Sequence, residues 1–525
     1  MTAPTTEAPG LRRRVRLETL GLFLVGAALL TLWSLATPQW SSPDAPSHET
    51  MAYSVGHGEL WPERSDEFGS GVTSNAIVVV PQGILDSAAS AGCTAFQMDV
   101  PASCLAPIGP SEKPGEMLNP AGRNIPTYYL VTGWPSTLVP VEWSMAANRA
   151  AAISVAALFL ALGLGAAMRV RQRGLALAGC AVSLTPMALY LGGVLNPNSG
   201  EIFAAFAMAA TSLAAVKVND PWLSRVLARR AMLAASFMVA VRMLAPGWLA
   251  IWVAALVVAL GWPAFRRLAQ HAGRWVWAPV VAVVAQALWT ILSGVRDTQT
   301  TPQFDLSLLQ RLELAREHIG ADVMRQQVGT FGWLDTLMPD DAYLRYLTGA
   351  ALILSVLWLR LTPRTLIALL ALALAVYSAP IALEALQWNA NGPVWQGRYT
   401  LPLTVMLPVL AALGPERAPG LARPSGNAVA LVGLGLVLLA SAHIEGFYTL
   451  LRRNTSGITG DAFDGPWESF ATNELTFAAL VLSMLVALAA LFVAVATDGR
   501  VPLRRMQPAP AERPAVHDRP TLEQH

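Results

Sequence analysis

The sequence predicts an all-α polytopic membrane protein of about twelve transmembrane helices, with a small mixed α/β domain in one extracytoplasmic loop. Three observations carry that prediction. Apolar residues make up 54% of the chain and charged residues 13%, against about 25% charged in an ordinary soluble domain. The apolar residues fall in blocks of roughly 16–25, the length that crosses a bilayer core. The arginines fall between those blocks, and mostly between alternate ones.

The twelve blocks are 17–37, 148–168, 174–194, 200–217, 230–245, 247–263, 276–294, 343–360, 365–386, 398–414, 428–448 and 474–496. An even number puts both termini on one side. "LRRRVR" before the first block places that side in the cytoplasm by the positive-inside rule. The later loops agree: more than half of the 36 basic residues fall in the segments this makes inner, and the long loops 38–147, 295–342 and 449–473 fall outside. The predicted organisation is a disordered cytoplasmic N-terminus (1–16), a membrane domain (17–496) and a disordered cytoplasmic tail (497–525) rich in Pro, Ala and charge. Blocks 230–245 and 247–263 are parted only by Pro246 and Gly247. As one helix they would be about 50 Å long, too long for a span, and every later loop would flip, so they are read as two. The first block carries signal-peptide features, a basic flank and "SLA" at 34–36. Its apolar stretch exceeds a usual signal core, so it is read as a retained span.

In the first outer loop "AIVVVP" (Ala76–Pro81) reads as a strand among dense Gly and Pro punctuation. Cys93 and Cys104 share that loop. An oxidising compartment favours a disulfide there, worth on the order of 2–3 kcal/mol; two separate thiols are the alternative. Cys180 lies in a block and reads as packing. At 304–319, Leu306, Leu309 and Leu312 mark an amphipathic helix, on the membrane surface or packed on the outer domain. No internal repeat is visible.

With this topology the unusual polar residues collect at the outer face. Asp44, His48 and Glu49 follow the first block. Asn196, Asn198 and Glu201 lie in "NPNSGE". Arg242 falls near an outer helix end. Trp333 and Asp335 lie in "FGWLD", and Trp395, Gln396, Arg398 and Tyr399 in "VWQGRY". Arg452 and Arg453 follow block eleven. Each has a plainer reading. Asp44 is good N-cap chemistry for the helix after it, a role compatible with a functional one. Asn198 or Ser199 would cap the next span. The tryptophans suit an interfacial belt. Arg242 is harder to set aside, because a charge within a span costs roughly 2.5–3.5 kcal/mol on insertion scales; snorkelling is its plainer role. The set, more than any member, points to one cavity at the outer interface.

"PDAPSH" (43–48), "LTPMALYLGGVLNPNSGEI" (184–202), "VGTFGWLDTLMP" (328–339) and "WQGRYTLPL" (395–403) resemble a bacterial family of predicted polytopic membrane proteins of unknown function. That family is in turn similar to the GT-C superfamily of integral-membrane glycosyltransferases. The resemblance spans roughly residues 40–455. It implies a GT-C-like fold and an acidic catalytic or acceptor-orienting residue after the first span, with a lipid-phosphate sugar as donor. Asp44 matches the acidic position. The family's usual acidic neighbour is Ala45 here, which speaks against a paired-carboxylate or metal role.

The expected reaction is transfer of a sugar from a polyprenyl phosphate to an envelope glycan or lipid, outside the cytoplasmic membrane of a bacterium and with inversion. Asp44 would serve as base. Arg242, Arg398, Arg452 and Arg453 would hold the leaving phosphate. His48, Glu49, Asn196, Asn198, Glu201, Trp333, Asp335, Trp395, Gln396 and Tyr399 would bind substrate. No cofactor is indicated, and a divalent metal is left open because the carboxylates are scattered. Membrane lipids are expected partners and nucleic acid is not. No Walker A, HExxH or helix-opening GxGxxG motif competes. A lipid-linked-sugar transporter or flippase, or a non-catalytic scaffold of envelope assembly, remain alternatives. A transporter would place its polar site near the midplane.

Overall fold

The computed structural model describes residues 9–64, 76–122, 124–293, 304–417 and 424–498. Each of the twelve apolar blocks falls on a helix or a helix pair. Among the described residues, seven helices are long and apolar enough to cross a membrane: Gly10–Leu35, Val141–Ala167, Pro197–Lys217, Trp262–Leu292, Pro363–Asn391, Gly426–Ser456 and Asn473–Thr497. An eighth would be the pair Arg173–Ser183 and Pro186–Gly192, bent by 76°. The helices Ala245–Leu260 and Gly397–Leu413 are apolar but shorter. Pro221–Val241 and Asp340–Trp358 begin with charges, Arg225, Arg229 and Arg230 in one and Asp340, Asp341 and Arg345 in the other. The N-terminal segment expected to be disordered is helical from Pro9 onward. Residues 1–8 and the tail after 498 lie outside the described residues.

The helix breaks have chemical causes. Pro186 cannot donate an N–H, and its ring prevents the preceding helix from continuing. Thr185 caps the new helix by accepting from Ala188 N at 3.0 Å. The ring of His443 lies across the break, its Nε2 2.6 Å from the freed carbonyl of Leu184. At the second break the chain leaves the helix at Val241, and Arg242 is extended, with φ −143° and ψ 139°. A new helix starts at Ala245 with Pro246 in its first turn, where the missing N–H costs nothing. The chain thus forms two helices here, as read, though neither is among the seven long and apolar enough to cross a membrane. Arg242 stands at the break rather than within a helix.

Between the first and second long helices lies a small mixed unit. Its three-stranded antiparallel sheet has the order Glu63–Arg64, Ala76–Pro81, Pro114–Asn119, with Val78 opposite Met117. The predicted strand is its centre. The helices Ala45–Gly56 and Thr127–Gly133 pack beside it. Glycines set that packing: a β-carbon on Gly133 would fall 1.8 Å from Ala52 O, and one on Gly56 2.3 Å from Gly133 O. Cys93 and Cys104 are joined, their Cα atoms 6.3 Å apart. The helix Leu308–His318 lies on the end of Pro363–Asn391, with Leu306, Leu312 and Ala315 against Ala385 and Trp388. It packs on a long helix, a third arrangement beside the two expected.

Candidate active site at the start of the Ala45–Gly56 helix

Asp44 occupies the turn into the helix Ala45–Gly56, with φ 58° and ψ 21°. This left-handed region disfavours residues with a β-carbon, though aspartate visits it more readily than most. The carboxylate makes no capping hydrogen bond, contrary to the N-cap expectation. It turns to Arg398 instead, whose Nη2 donates to Oδ2 of Asp44. The turn is tied from across the chain, because Asn196 Nδ2 donates to Pro43 O at 3.0 Å. Asn196 also caps the helix Pro197–Lys217 by accepting from Asn198 N at 3.0 Å, a role expected of Asn198 or Ser199. Backbone in a sparsely populated region is found where surrounding structure over-determines it, often at functional sites.

Arg398 lies in the first turn of the helix Gly397–Leu413. Its side chain is 1% exposed and that of Asp44 48%. Nη2 serves Asp44 and lies 3.4 Å from the Tyr399 hydroxyl. Nε and Nη1 are buried with no partner in the protein. Buried guanidinium nitrogens without partners are costly, and a phosphate would supply acceptors with matching fork geometry. The guanidinium of Arg398 lies 5.2 Å from the Tyr399 ring centre and that of Arg242 5.4 Å from it, so one aromatic ring supports both cations. Arg242 Nε is 3.9 Å from Glu201 Oε2, and Asn198 Nδ2 donates to that oxygen at 3.5 Å. Arg242, Tyr399 and Trp395 line a cavity of about 360 Å³, together with Asn124, Gln286 and Gln387. Gln396 precedes the helix with its Oε1 buried and unpartnered.

Electrostatics follow from this placement. The protein packed around Asp44 works to raise its pKa, but the nearby charges, that of Arg398 first and Arg242 with it, outweigh this, and the carboxyl is held below its usual range. His48 is 4% exposed. Burial is the main cause that lowers its pKa to about 3, against the pull of Asp44, so its imidazole is neutral at ordinary pH. His48 Nδ1 and the Tyr129 hydroxyl share a hydrogen bond of 2.8 Å, and Asn124 Nδ2 donates to the same hydroxyl at 3.3 Å. The close glycine contact holds Tyr129 over His48.

Not every expected residue joins this cluster. Glu49 is fully buried and pairs with Arg149 at 3.1 Å. Burial raises its pKa despite that arginine. Arg453 spends Nη1 on Val100 O and Nη2 on Thr94 O and Gln97 O, so it fastens the disulfide-bearing loop. Asp335 accepts from Phe96 N, Trp333 N and the Thr336 hydroxyl and lies 3.9 Å from Arg453. Trp333 packs with Trp40, Val80 and Ile84. Arg452 lies 5.8 Å from the Tyr448 ring centre. Among the described residues, none of these contacts reaches Asp44 or Arg398.

Sequence reasoning passed over Asn124, Tyr129, Arg149 and Glu384. Glu384 is fully buried, with one oxygen on His318 and the other accepting from Trp395 N at 2.6 Å. It thereby fixes a wall of the cavity. Arg149 and Glu384 carried a readable signal, since each is a charge inside an apolar block. Tyr129 and Asn124 carried none.

Among the described residues no group of three or more His, Cys, Asp or Glu side chains is placed to hold a metal. The family model described as "Predicted membrane protein (DUF2142)" matches residues 27–407. No curated protein matches the chain. Two similar solved structures are of ArnT from Cupriavidus metallidurans. The apo form is 13% identical with a TM-score of 0.44, over 92% of this chain and 77% of that one. The form bound to undecaprenyl phosphate is 14% identical with a TM-score of 0.42, over 91% and 76%. The likeness is too distant to assign an activity. The family match covers most of the sequence, and the chain belongs to the DUF2142 family of membrane proteins.

Proposed function

We propose that this membrane protein is an inverting glycosyltransferase that moves a sugar from a polyprenyl-phosphate donor to a glycan or lipid acceptor of the cell envelope, at the outer face of the cytoplasmic membrane. The observation that carries the reading is Arg398: a buried guanidinium with one nitrogen on the half-exposed Asp44 carboxylate and two nitrogens without a partner.

The donor phosphate sits between Arg398 and Arg242, which lie on one aromatic ring and are fixed before the ligand arrives. Preorganised charge of this kind is the main resource for stabilising a departing phosphate. The acceptor hydroxyl approaches Asp44, whose carboxylate takes its proton as the oxygen attacks the anomeric carbon and the phosphate leaves with the electron pair of the sugar–oxygen bond. Attack from the face opposite the phosphate inverts that carbon. In the resting site Arg398 holds Asp44 and depresses its basicity. A phosphate that draws the guanidinium to itself frees the carboxylate and raises its pKa toward that of a working base. Transfer is thus coupled to donor binding. Trp395 and Tyr399 offer faces for the sugar, and Gln396, Asn198 and Glu201 offer hydroxyl partners.

Lipid access suits the cavity. Two helices that wall it are largely uncovered by protein, with 22% of the apolar window of Trp262–Leu292 and 28% of that of Pro363–Asn391 buried, against 94% for Pro197–Lys217. The test is a transfer assay with purified protein in lipid and a panel of polyprenyl-phosphate sugars, wild type beside Asp44→Asn. Transfer or slow donor hydrolysis by wild type alone is expected. Equal activity of the variant would remove Asp44 as base, and turnover of no donor by wild type would remove the transferase reading.

A further inference from the structure

A second and larger cavity, of about 1040 Å³, lies at the other end of the same helices. The helix Pro197–Lys217 runs from Glu201 in the first site to Lys217 in this one, about 24 Å along its axis. Ala245–Leu260 and Gly397–Leu413 likewise start beside the first cavity and end at the second. Five cationic side chains line it: Arg169, Arg171, Lys217, Arg267 and Arg360. Its two acidic side chains are already engaged. Glu416 is shared between Lys217 at 3.1 Å and Arg360 at 3.0 Å. Asp220 caps a helix by accepting from Leu223 N at 2.7 Å. Arg169 pairs with Glu18. Arg171 and Arg267 make no ion pair or hydrogen bond among the described residues, and both are exposed. Apart from Gln172 and Asn219 the rest of the wall is apolar, with Leu175, Val216, Leu260 and Leu357 among it.

We infer that this cavity is a binding site for an anionic phospholipid. Surplus positive charge beside an apolar wall, at the ends of membrane-crossing helices, matches a ligand with a phosphate at one end and acyl chains at the other. A soluble anion would leave the apolar wall unused, and a lipid without net charge would bring its own cation to a cavity that already has surplus positive charge. The phosphate pairs with Arg171 and Arg267, and the chains lie along Leu260 and Leu357. The occupant would sit at the ends of helices whose other ends carry Arg242, Glu201 and Arg398. The inference does not depend on the transferase reading.

The experiment is native mass spectrometry of the full chain released from micelles, offered phosphatidylglycerol and phosphatidylcholine of equal chain length. Wild type should retain phosphatidylglycerol in preference. The double variant Arg171→Gln/Arg267→Gln should lose that preference by about tenfold or more, from two headgroup charges. Arg171→Lys/Arg267→Lys should keep most of it, which separates charge from folding. Excess inorganic phosphate should leave the lipid bound. Equal retention of the two lipids by wild type, or an undiminished preference in the glutamine variant, would overturn the site. Displacement by inorganic phosphate would overturn the lipid assignment in favour of a soluble anion.

Discussion

Two acid–arginine pairs begin on neighbouring turns of one short segment, and they are built differently. Glu49 and Arg149 have both left water, with side chains 0% and 8% exposed. Arg149 spends its terminal nitrogens on Glu49, Thr37 O at 2.8 Å and Pro38 O at 3.4 Å. That pair clamps the end of the first long helix to the unit that follows it. Asp44 and Arg398 are 48% and 1% exposed, and the arginine keeps two buried nitrogens unused. The same two functional groups thus make a fully buried joint in one place and a half-exposed pair in the other. The difference lies in what surrounds the arginine: backbone carbonyls and Glu49 occupy both terminal nitrogens of Arg149 and leave only its Nε and Glu49 Oε2 unpartnered, whereas Arg398 keeps a terminal nitrogen as well as Nε unused.

The comparison breaks most readily at the buried pair. Arg149→Ala leaves Glu49 buried without its partner, which costs about 3–5 kcal/mol in comparable pairs. The expected result is loss of folded protein or a large drop in melting temperature in detergent. A variant as stable as wild type would show that the joint does not hold the fold. The half-exposed pair should behave in the opposite way. Asp44→Asn should fold normally and lose transfer by about 10²–10⁴-fold, the usual weight of a general base. Arg398→Lys keeps a charge but loses the fork. It should fold and transfer about 10²–10³-fold more slowly, with weaker donor binding, as kinetics over a donor series would read.

A smaller effect lies in pH. His48 is neutral when folded because its pKa is lowered to about 3, whereas in the unfolded chain it titrates near 6.5. Below about pH 6.5 the unfolded chain therefore binds a proton that the folded chain does not, and stability falls on acidification until about pH 3. The depressed carboxyl of Asp44 acts with the same sign at lower pH: its contribution is present above the ordinary aspartate pKa and is lost as pH falls through the folded value. His48→Gln can keep a hydrogen bond to Tyr129 and should flatten the melting temperature between pH 6.5 and 5. An unchanged slope would mean that His48 is not the group responsible.

Local rules made much of this legible. Hydropathy placed a helix on each apolar block, Pro246 marked a true break, and "AIVVVP" became the central strand. The cluster was legible as a set, because Asp44, Arg242, Arg398 and Tyr399 were singled out together and do meet. The internal division of that set was not. Asp44 reads as an N-cap in one dimension, and only a fold that brings residue 398 beside residue 44 turns its carboxylate away from the helix. Arg453 and Asp335 share the polarity of the others, yet long-range contacts with residues 94–100 decide their use. Tyr129 enters through two glycines that let two helices touch, a meeting that no local pattern announces.

The most direct test of the central claim measures donor binding and sugar transfer in parallel, in lipid nanodiscs, for wild type, Asp44→Asn and Arg398→Gln. If Arg398 is held by Asp44 until a phosphate takes it, Asp44→Asn should bind the donor at least as tightly as wild type and fail to transfer, while Arg398→Gln should lose both. Donor binding undiminished in Arg398→Gln, or transfer undiminished in Asp44→Asn, would contradict the account.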